Sequence, residues 1–518
     1  MFWLLMACTG SLGESQPLDT AELVTPCGPE LNLEPGMVRT SSGVFQGRAR
    51  DLGWSFQGIP FAKAPVGALR FAPPEPAECA PTLQEALDFG PLCPQLDGED
   101  MVGEEDCLQL NVFTSAEPGG PADRPVLVYV HGGGHTQGGA SYGEDYPLFE
   151  GQELATRTGS VVVTLQYRLG ILGFLALEGS PHPANAGIQD LHLGLQWVQD
   201  NIQGFGGDPN QVLLFGESAG AVNTCVMMSA PASEGLFTSA LMQSGPCPTL
   251  SPQEGADHAQ QHLEALACEG AQDTLACLQQ ATLVELVALS AQESDIPGVL
   301  TGNTFWPVSD GEILDSDPVA AWAEGRTLDI PVVFGSNSEE TALYTLELSE
   351  TQLSALMRLA FGDRVEEAQA LWPLEDYSSP RWAWVAVSTD LQFTCPARFM
   401  ADAASESQNA PVYRYRFSHR PAGVSAARGA YHGLELPYVF QTLDLLSELS
   451  GFTPDQADLE VEAFMGLSWA ALAAGEDPGV GETWPRWRTQ GELLHIDEGL
   501  YAGEDPTQAR CDFVFSLP

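Results

Sequence analysis

Two glycine-rich segments each follow a short apolar run and carry residues that could do chemistry. Residues 215–220 read FGESAG and place Ser218 between two glycines, directly after the apolar run QVLLF. The segment RPVLVYV, residues 124–130, runs into His131 and three glycines. A serine on a tight strand-to-helix turn is typical of a catalytic nucleophile, since flanking glycines avoid side-chain clashes there. The chain has 53 glycines in 518 residues, so the short match could also arise by chance, and its context must decide.

A serine nucleophile needs a base, a carboxylate that orients the base, and donors for the developing oxyanion. The glycines after His131 have no side chain to block a substrate carbonyl. The backbone N–H groups of Gly133, Gly134 and Ala219 are therefore predicted to form an oxyanion hole. Read alone, the glycine run could also be a flexible turn or an anion-binding nest.

The chain alternates short apolar strands with stretches of helical spacing. Strands are predicted at 126–130, 160–165, 212–215, 240–243 and 331–334, and helices at 187–201, 219–228 and 254–266. This order predicts an α/β fold with a mainly parallel sheet flanked by helices. Reactive residues are expected beyond the carboxyl ends of the strands, where both glycine-rich segments lie.

The charge is strongly acidic. Twenty basic and seventy acidic side chains give a net charge of -50, and Lys63 is the only lysine. Such a field repels nucleic acid and anionic membrane surfaces, so neither is expected as a partner. A saline habitat and drift in base composition are both open as causes of the missing lysines.

The N-terminus, MFWLLMACTGSLGESQP, resembles a bacterial lipoprotein signal in which Cys8 becomes the lipidated residue. The apolar stretch is shorter than an ordinary signal core and no basic residue precedes it, so a frayed terminus or a misplaced start is the alternative. Residues 1–37 are predicted to be leader and linker, and residues 38–518 a single domain. The only expected membrane contact is a tether through Cys8.

Eleven cysteines are too many for a chain kept reduced in a bacterial cytosol, and no Cys-x-x-Cys pair suggests a metal site. An extracytoplasmic location is predicted, whether periplasmic, on the cell surface or secreted. Ten cysteines remain without Cys8, an even number for a disulfide framework.

Longer segments carry a resemblance to a known family. They read FQGIPFAKAPVGALRF (56–71), EEDCLQLNVF (104–113), YRLGILGFL (167–175) and NAGIQDLHLGLQWVQDNIQGFGGDPNQVLLFGESAG (185–220). From about residue 38 to the C-terminus the chain resembles the type-B carboxylesterases, the α/β-hydrolase family that includes cholinesterases, carboxylesterases and some fungal lipases. The resemblance implies an α/β-hydrolase fold with inserted helical segments.

The family order of serine, acid and histidine implies a triad of Ser218, Glu340 and His432. Glu340 lies just beyond the predicted strand 331–334, and its neighbour Glu339 is the alternative acid. Of the nine histidines, His419 and His495 also follow the acid, but structural roles are expected for both. Such a triad needs no metal or organic cofactor, and a histidine base predicts a loss of activity below about pH 6 to 7.

The resemblance also implies three disulfides and a structural ion pair between Arg70 and Glu105. The implied disulfides are Cys93 with Cys107, Cys268 with Cys277, and Cys395 with Cys511. Pairing of Cys27 with Cys79 is a guess. Cys225 is expected to be a small core residue, and Cys247 has no assigned partner.

The loop between the first cysteine pair, residues 94–106, has no aromatic residue. Cholinesterases carry a tryptophan there that holds the quaternary ammonium, and the lipases have a long apolar lid, so neither substrate class is expected. Soluble short- to medium-chain acyl esters are the predicted substrates, hydrolysed through an acyl-enzyme. A non-catalytic neuroligin-like adhesion module is one alternative; the same triad acting on lipids, lactones, carbamates or amides is another. The oligomeric state is left open.

Overall fold

A computed structural model of the chain describes residues 27–141, 148–290, 305–421, 428–444, 447, 452–488 and 491–517. Cys8 and most of the predicted leader lie outside the described residues, so the proposed lipidation stays a prediction. No helix in the described part of the chain is long and apolar enough to cross a membrane.

Strands and helices alternate through most of the described chain. The strands are β1 (Met37–Thr40), β2 (Gly43–Arg50), β3 (Gly53–Pro60), β4 (Gln84–Ala86), β5 (Gln95–Asp97), β6 (Asp100–Val102), β7 (Gln109–Thr114), β8 (Arg124–Val130), β9 (Val161–Leu165), β10 (Gly207–Glu217), β11 (Ser239–Gln243), β12 (Val332–Asn337), β13 (Val412–Phe417), β14 (Glu492–Ile496) and β15 (Leu500–Glu504). The helices are α1 (Gln152–Thr158), α2 (Gly170–Phe174), α3 (Ala186–Asn201), α4 (Ala219–Ser229), α5 (Pro252–Ala265), α6 (Thr274–Gln280), α7 (Leu283–Ala288), α8 (Pro318–Ala323), α9 (Glu350–Phe361), α10 (Val365–Leu371), α11 (Pro380–Thr389), α12 (Cys395–Ser407), α13 (Leu436–Phe440), α14 (Gln456–Ala473) and α15 (Gln508–Phe515).

Thirteen strands form one large sheet in the order β1-β2-β3-β7-β9-β8-β10-β11-β12-β13-β14-β15, with β4 beside β2. The strands from β9 to β14 in this order run parallel, which confirms the predicted α/β class with a mainly parallel sheet. Antiparallel strands close both edges. Because the central strands are parallel, the chain leaves β8, β10, β12 and β13 at the same edge of the sheet.

The central strands are buried on both faces because side chains alternate along them. In β8, Val126, Val128 and Val130 pack into a core on one face, while Leu127 and Tyr129 pack into a second core on the other. This alternation explains the near-continuous apolar run seen in the sequence, as expected for a covered parallel strand. Both faces of the sheet are therefore covered by packed side chains.

Five disulfides crosslink the described chain. They are Cys27–Cys79, Cys93–Cys107, Cys225–Cys247, Cys268–Cys277 and Cys395–Cys511. The expectation that Cys225 is an unpaired core residue is wrong. Cys225 lies in α4 and Cys247 follows β11, and the packing of α4 on β11 brings their Cα atoms to 6.0 Å. A buried position suits a thiol and a disulfide alike, so sequence position alone could not separate the two.

Two ion pairs stabilise loops near the sheet. Arg70 and Glu105 form the pair implied by the resemblance, with two N···O distances of 2.6 Å. Arg168 and Asp190 form a second pair at 2.7 Å, and both side chains are almost completely buried. A buried charge that loses its partner keeps the cost of desolvation without the compensating attraction.

We therefore expect Asp190→Ala to lower the free energy of unfolding by about 3 to 5 kcal/mol, because it leaves the Arg168 guanidinium buried and unpaired. Urea denaturation with the disulfides intact measures the change. The control is Glu324→Ala, which breaks an exposed pair with Arg326 at the same distance of 2.7 Å and should cost under about 1 kcal/mol. Equal losses in the two variants would contradict the assigned role of the buried pair.

Candidate active site

Ser218 occupies the turn between β10 and α4 in a backbone conformation that serine rarely adopts, with φ 56° and ψ -123°. The two flanking glycines make this turn sterically feasible. A Cβ atom on Gly216 would lie 2.3 Å from the carbonyl oxygen of Gly220, and one on Gly220 would lie 2.0 Å from that of Val130. The turn thus presents the serine hydroxyl beyond the carboxyl end of β10, as a nucleophile elbow requires.

The glycine loop after β8 packs directly against this elbow. A Cβ atom on Gly132 would lie 2.9 Å from the Cβ atom of Ser218, so only glycine allows the approach. Gly133 and Gly134 follow with positive φ angles of 106° and 63°. The structure thus places Gly132 against Ser218, and Gly133 and Gly134 follow it in the same loop.

Side-chain hydrogen bonds fix the glycine loop from two directions. The Tyr167 hydroxyl donates to the carbonyl of His131 at 3.0 Å, and the ring of His135 bonds to Asn223 at 2.8 Å. Gln95, in the short hairpin β5–β6, exchanges two hydrogen bonds with the backbone of Gly138 at 2.7 and 2.8 Å. Burial lowers the pKa values of His131 and His135 to about 4, so both rings are neutral near pH 7.

Glu340 follows the carboxyl end of β12 and is completely buried. Its Oε2 accepts a hydrogen bond from Nδ1 of His432 at 2.7 Å, and its Oε1 accepts one from the backbone N–H of Asn337 at 2.6 Å. The backbone N–H of His432 also donates to the carbonyl of Glu340 at 3.1 Å. The acid and the imidazole suggested by the sequence are thus joined at both side-chain and backbone level.

The alternative acid and histidines lie elsewhere. Glu339 points away from the imidazole and accepts hydrogen bonds from Arg420 and from the backbone N–H of Ala430. His419 bonds to Asp458 at 2.7 Å, and His495 bonds to the carbonyl of Glu504 at 3.1 Å. These contacts fit structural roles for all three residues.

No hydrogen bond among the described residues joins the Ser218 hydroxyl to the imidazole of His432. Nε2 of His432 instead lies 3.1 Å from Oε1 of Glu217, the residue before the serine. Since Nδ1 is engaged by Glu340, Nε2 is the ring nitrogen that faces the elbow. Such bonds are often long or absent without substrate and tighten in the reactive complex.

Sequence reasoning missed two buried carboxylates, Glu217 and Glu435. The side chain of Gln243 donates to Glu435 at 3.0 Å, and that of Asn337 donates to it at 2.6 Å. Burial raises the pKa of Glu217 to about 8 and that of Glu435 to about 7. Their positions in the sequence could have identified them, because Glu217 directly precedes Ser218 and Glu435 lies three residues after His432.

These carboxylates set the protonation of the imidazole. Burial disfavours charge on His432, but the nearby Glu217 and the hydrogen bond to Glu340 outweigh burial and raise its pKa to about 9. Glu217 and His432 therefore compete for protons, and each holds one at a higher pH than it would in water.

Comparison with known proteins agrees with this fold. A sequence model of the carboxylesterase family matches residues 34–514. The para-nitrobenzyl esterase of Bacillus subtilis (strain 168) is 32% identical over 500 residues, which cover 92% of this chain and 98% of that protein. The fumonisin B1 esterase of Sphingopyxis macrogoltabida is 32% identical over 503 residues, covering 91% of this chain and 88% of its own length. A solved structure of a thermophylic PNB esterase has a TM-score of 0.81 at 31% identity, covering 92% of this chain and 99% of that one.

The sheet topology and the matching solved structures define the chain as an α/β-hydrolase. Because the family model spans nearly the whole chain, the protein belongs to the carboxylesterase family, and the resemblance drawn from its motifs is confirmed. Membership supports hydrolysis of carboxylic esters as the reaction.

We expect Glu217→Gln to lower the pKa of His432 by about one to three units, because it removes a negative charge beside Nε2. NMR titration of the histidine ring protons measures this shift. The control is Glu178→Gln, an exposed carboxylate on the surface, which should leave the pKa of His432 unchanged. An equal pKa in the wild type and in Glu217→Gln would show that Glu217 does not act on the imidazole.

Proposed function

We propose that the protein is a serine carboxylesterase in which Ser218, Glu340 and His432 form the catalytic triad within one domain over residues 38–518. The observation that carries this proposal is the buried hydrogen bond of 2.7 Å between Glu340 and His432, which holds the imidazole next to the strained elbow of Ser218. A carboxylate that is hydrogen bonded to Nδ1 keeps the ring proton on that nitrogen. Nε2 is then the nitrogen that accepts the proton of the serine hydroxyl.

The reaction proceeds in two halves. The Ser218 oxygen attacks the ester carbonyl while Nε2 of His432 takes the hydroxyl proton, and the N–H groups of Gly133, Gly134 and Ala219 stabilise the oxyanion. The C–O bond to the alcohol then breaks, and His432 returns the proton to the departing alcohol. In the second half, His432 takes a proton from a water molecule that attacks the acyl-enzyme, and Ser218 leaves as the restored hydroxyl.

Small, soluble esters with short to medium acyl chains are the proposed substrates. The segment closed by Cys93 and Cys107 forms the small hairpin β5–β6, whose Gln95 is bonded to the glycine loop. A short polar hairpin fixed in this way supplies neither an apolar lid nor an aromatic face for a quaternary ammonium. Relatives named for para-nitrobenzyl and fumonisin B1 esters are consistent with esters of varied alcohol groups.

Other functions and other substrates are compatible with the same fold. A neuroligin-like binding module would need no acid held on an imidazole, so the Glu340–His432 pair favours catalysis. Lipids, lactones, carbamates and amides remain alternative substrates for the same triad. Five disulfides indicate an oxidising compartment outside the cytoplasm. We propose a periplasmic, cell-surface or secreted location, with a membrane tether only through lipidated Cys8.

Hydrolysis of 4-nitrophenyl esters of increasing acyl length tests the proposal. We expect release of 4-nitrophenol with the short and medium chains, and a loss of at least about 1,000-fold in kcat for Ser218→Ala, because the nucleophile is gone. Ser229→Ala, at the far end of the same helix, should keep kcat within about twofold, because its buried hydroxyl donates to the carbonyl of Cys225 in that helix, away from the turn that carries Ser218. No hydrolysis of any ester, or equal rates in Ser218→Ala, would exclude the proposed function.

The pH profile gives a further prediction. Because the carboxylates raise the pKa of His432, we expect the acidic limb of kcat/KM to lie above the usual histidine range of about pH 6 to 7. The imidazole must lose its proton before it can act as a base, so activity rises with pH through this limb. Initial rates with a 4-nitrophenyl ester, measured in buffers of constant ionic strength, locate the midpoint; a midpoint below pH 6 would contradict the raised pKa.

A further inference from the structure

A large open cleft lies on the far side of the loop that carries Glu340. Its volume is about 670 Å³, within the range of small-molecule sites. It is lined mainly by polar and aromatic residues, namely Ser338, Glu339, Asp376, Tyr377, Ser378, Trp382, Ala386, Arg416, Arg420, Pro506, Thr507 and Arg510. The triad proposed above does not use this cleft.

The charge of the cleft opposes that of the whole protein. The chain has only twenty basic side chains against seventy acidic ones, yet three arginines line this one cleft. They converge from separate places: Arg416 from the carboxyl end of β13, Arg420 from the loop after it, and Arg510 from α15. Glu339 and Asp376 also line the cleft, so its lining keeps a formal excess of one positive charge in an otherwise strongly acidic chain.

The three arginines differ in whether a carboxylate already pairs with their charge. Arg420 bonds to Glu339, and Arg510 lies 3.3 Å from the buried Asp390. The half-buried side chain of Arg416 has no hydrogen bond or ion pair with any residue that the structure describes. Arg416 lines the cleft, and its guanidinium, which carries five N–H donors, is therefore the least engaged of the three, although its charge also acts on the buried Asp390.

Two aromatic residues supply an apolar wall. Tyr377 and Trp382 both line the cleft, and the hydroxyl of Tyr377 is itself fully buried, so the ring is the part of this side chain that the cleft can present. The planar fork of an arginine suits a carboxylate, and aromatic rings suit a flat apolar body.

We propose that this cleft binds a small organic carboxylate, whose carboxylate group pairs with Arg416 and whose apolar body packs against Trp382. The site goes beyond the proposed esterase activity and does not depend on it. It is separated from the triad by residues 338–340: Glu339 lines the cleft, whereas its neighbour Glu340 is buried against His432.

Isothermal titration of the full chain with sodium benzoate, at an ionic strength held constant with chloride, tests the proposal. We expect saturable binding of one benzoate per chain. Benzamide has the same shape without the charge, so it should bind at least about tenfold more weakly, as loss of a charge-assisted bond implies. Inorganic phosphate, which lacks the apolar body, should also bind more weakly. Absence of saturation, or tighter binding of benzamide or phosphate than of benzoate, would overturn the proposal.

Substitutions test whether benzoate binds in this cleft. Arg416→Gln should weaken benzoate binding about tenfold, because it removes the charged donor to the carboxylate. Circular dichroism checks that the variant folds. Arg326→Gln, at an exposed arginine paired with Glu324, controls for a general effect of charge. Ser218→Ala should leave binding unchanged, because Ser218 does not line the cleft; unchanged binding in Arg416→Gln, or loss of binding in Ser218→Ala, would refute the assignment.

Discussion

The hydrogen bond between Glu340 and His432 is the interaction on which the rest of the site depends. A completely buried carboxylate is costly unless both of its oxygens find donors. Asn337, at the end of β12, supplies one donor and the imidazole supplies the other. The two partners lie 92 residues apart in the chain, so the bond exists only because β12 and β13 pair in register and aim their following loops at each other. The large sheet, which is covered on both faces, holds these two strands in register.

The surrounding carboxylates act together with this bond. Glu217 and Glu435 are buried beside the imidazole in a chain that already carries a net charge of -50. Their pKa values rise because burial disfavours their charge, while their remaining charge favours a proton on His432. Protonation at the site is therefore a property of the group of acids and the imidazole, and no single residue sets it. The cleft beside Glu339 differs from this site, because three arginines give its lining a small positive excess.

Local steric demands made much of the site predictable from the sequence. The glycines around Ser218 and after His131 are required by close backbone approaches, so their pattern shows in the sequence itself. The parallel sheet followed from alternating apolar runs and helical spacing. Contacts between distant segments were not predictable in this way. The bond from Gln243 to Glu435 spans 192 residues, and the pairing of Cys225 with Cys247 depends on how α4 packs on β11. Neither of these two contacts leaves a local pattern in the sequence.

The proposed catalysis depends on the activation of Ser218 by the imidazole that Glu340 holds. The most direct test is the rate at which an organophosphonate ester modifies the protein, followed by intact mass and peptide mapping. The predicted result is one adduct per chain on the peptide that contains Ser218, formed at least about 100-fold more slowly in Glu340→Gln, since general-base catalysis contributes that much or more. Modification at another residue, or equal rates in the wild type and in Glu340→Gln, would contradict it.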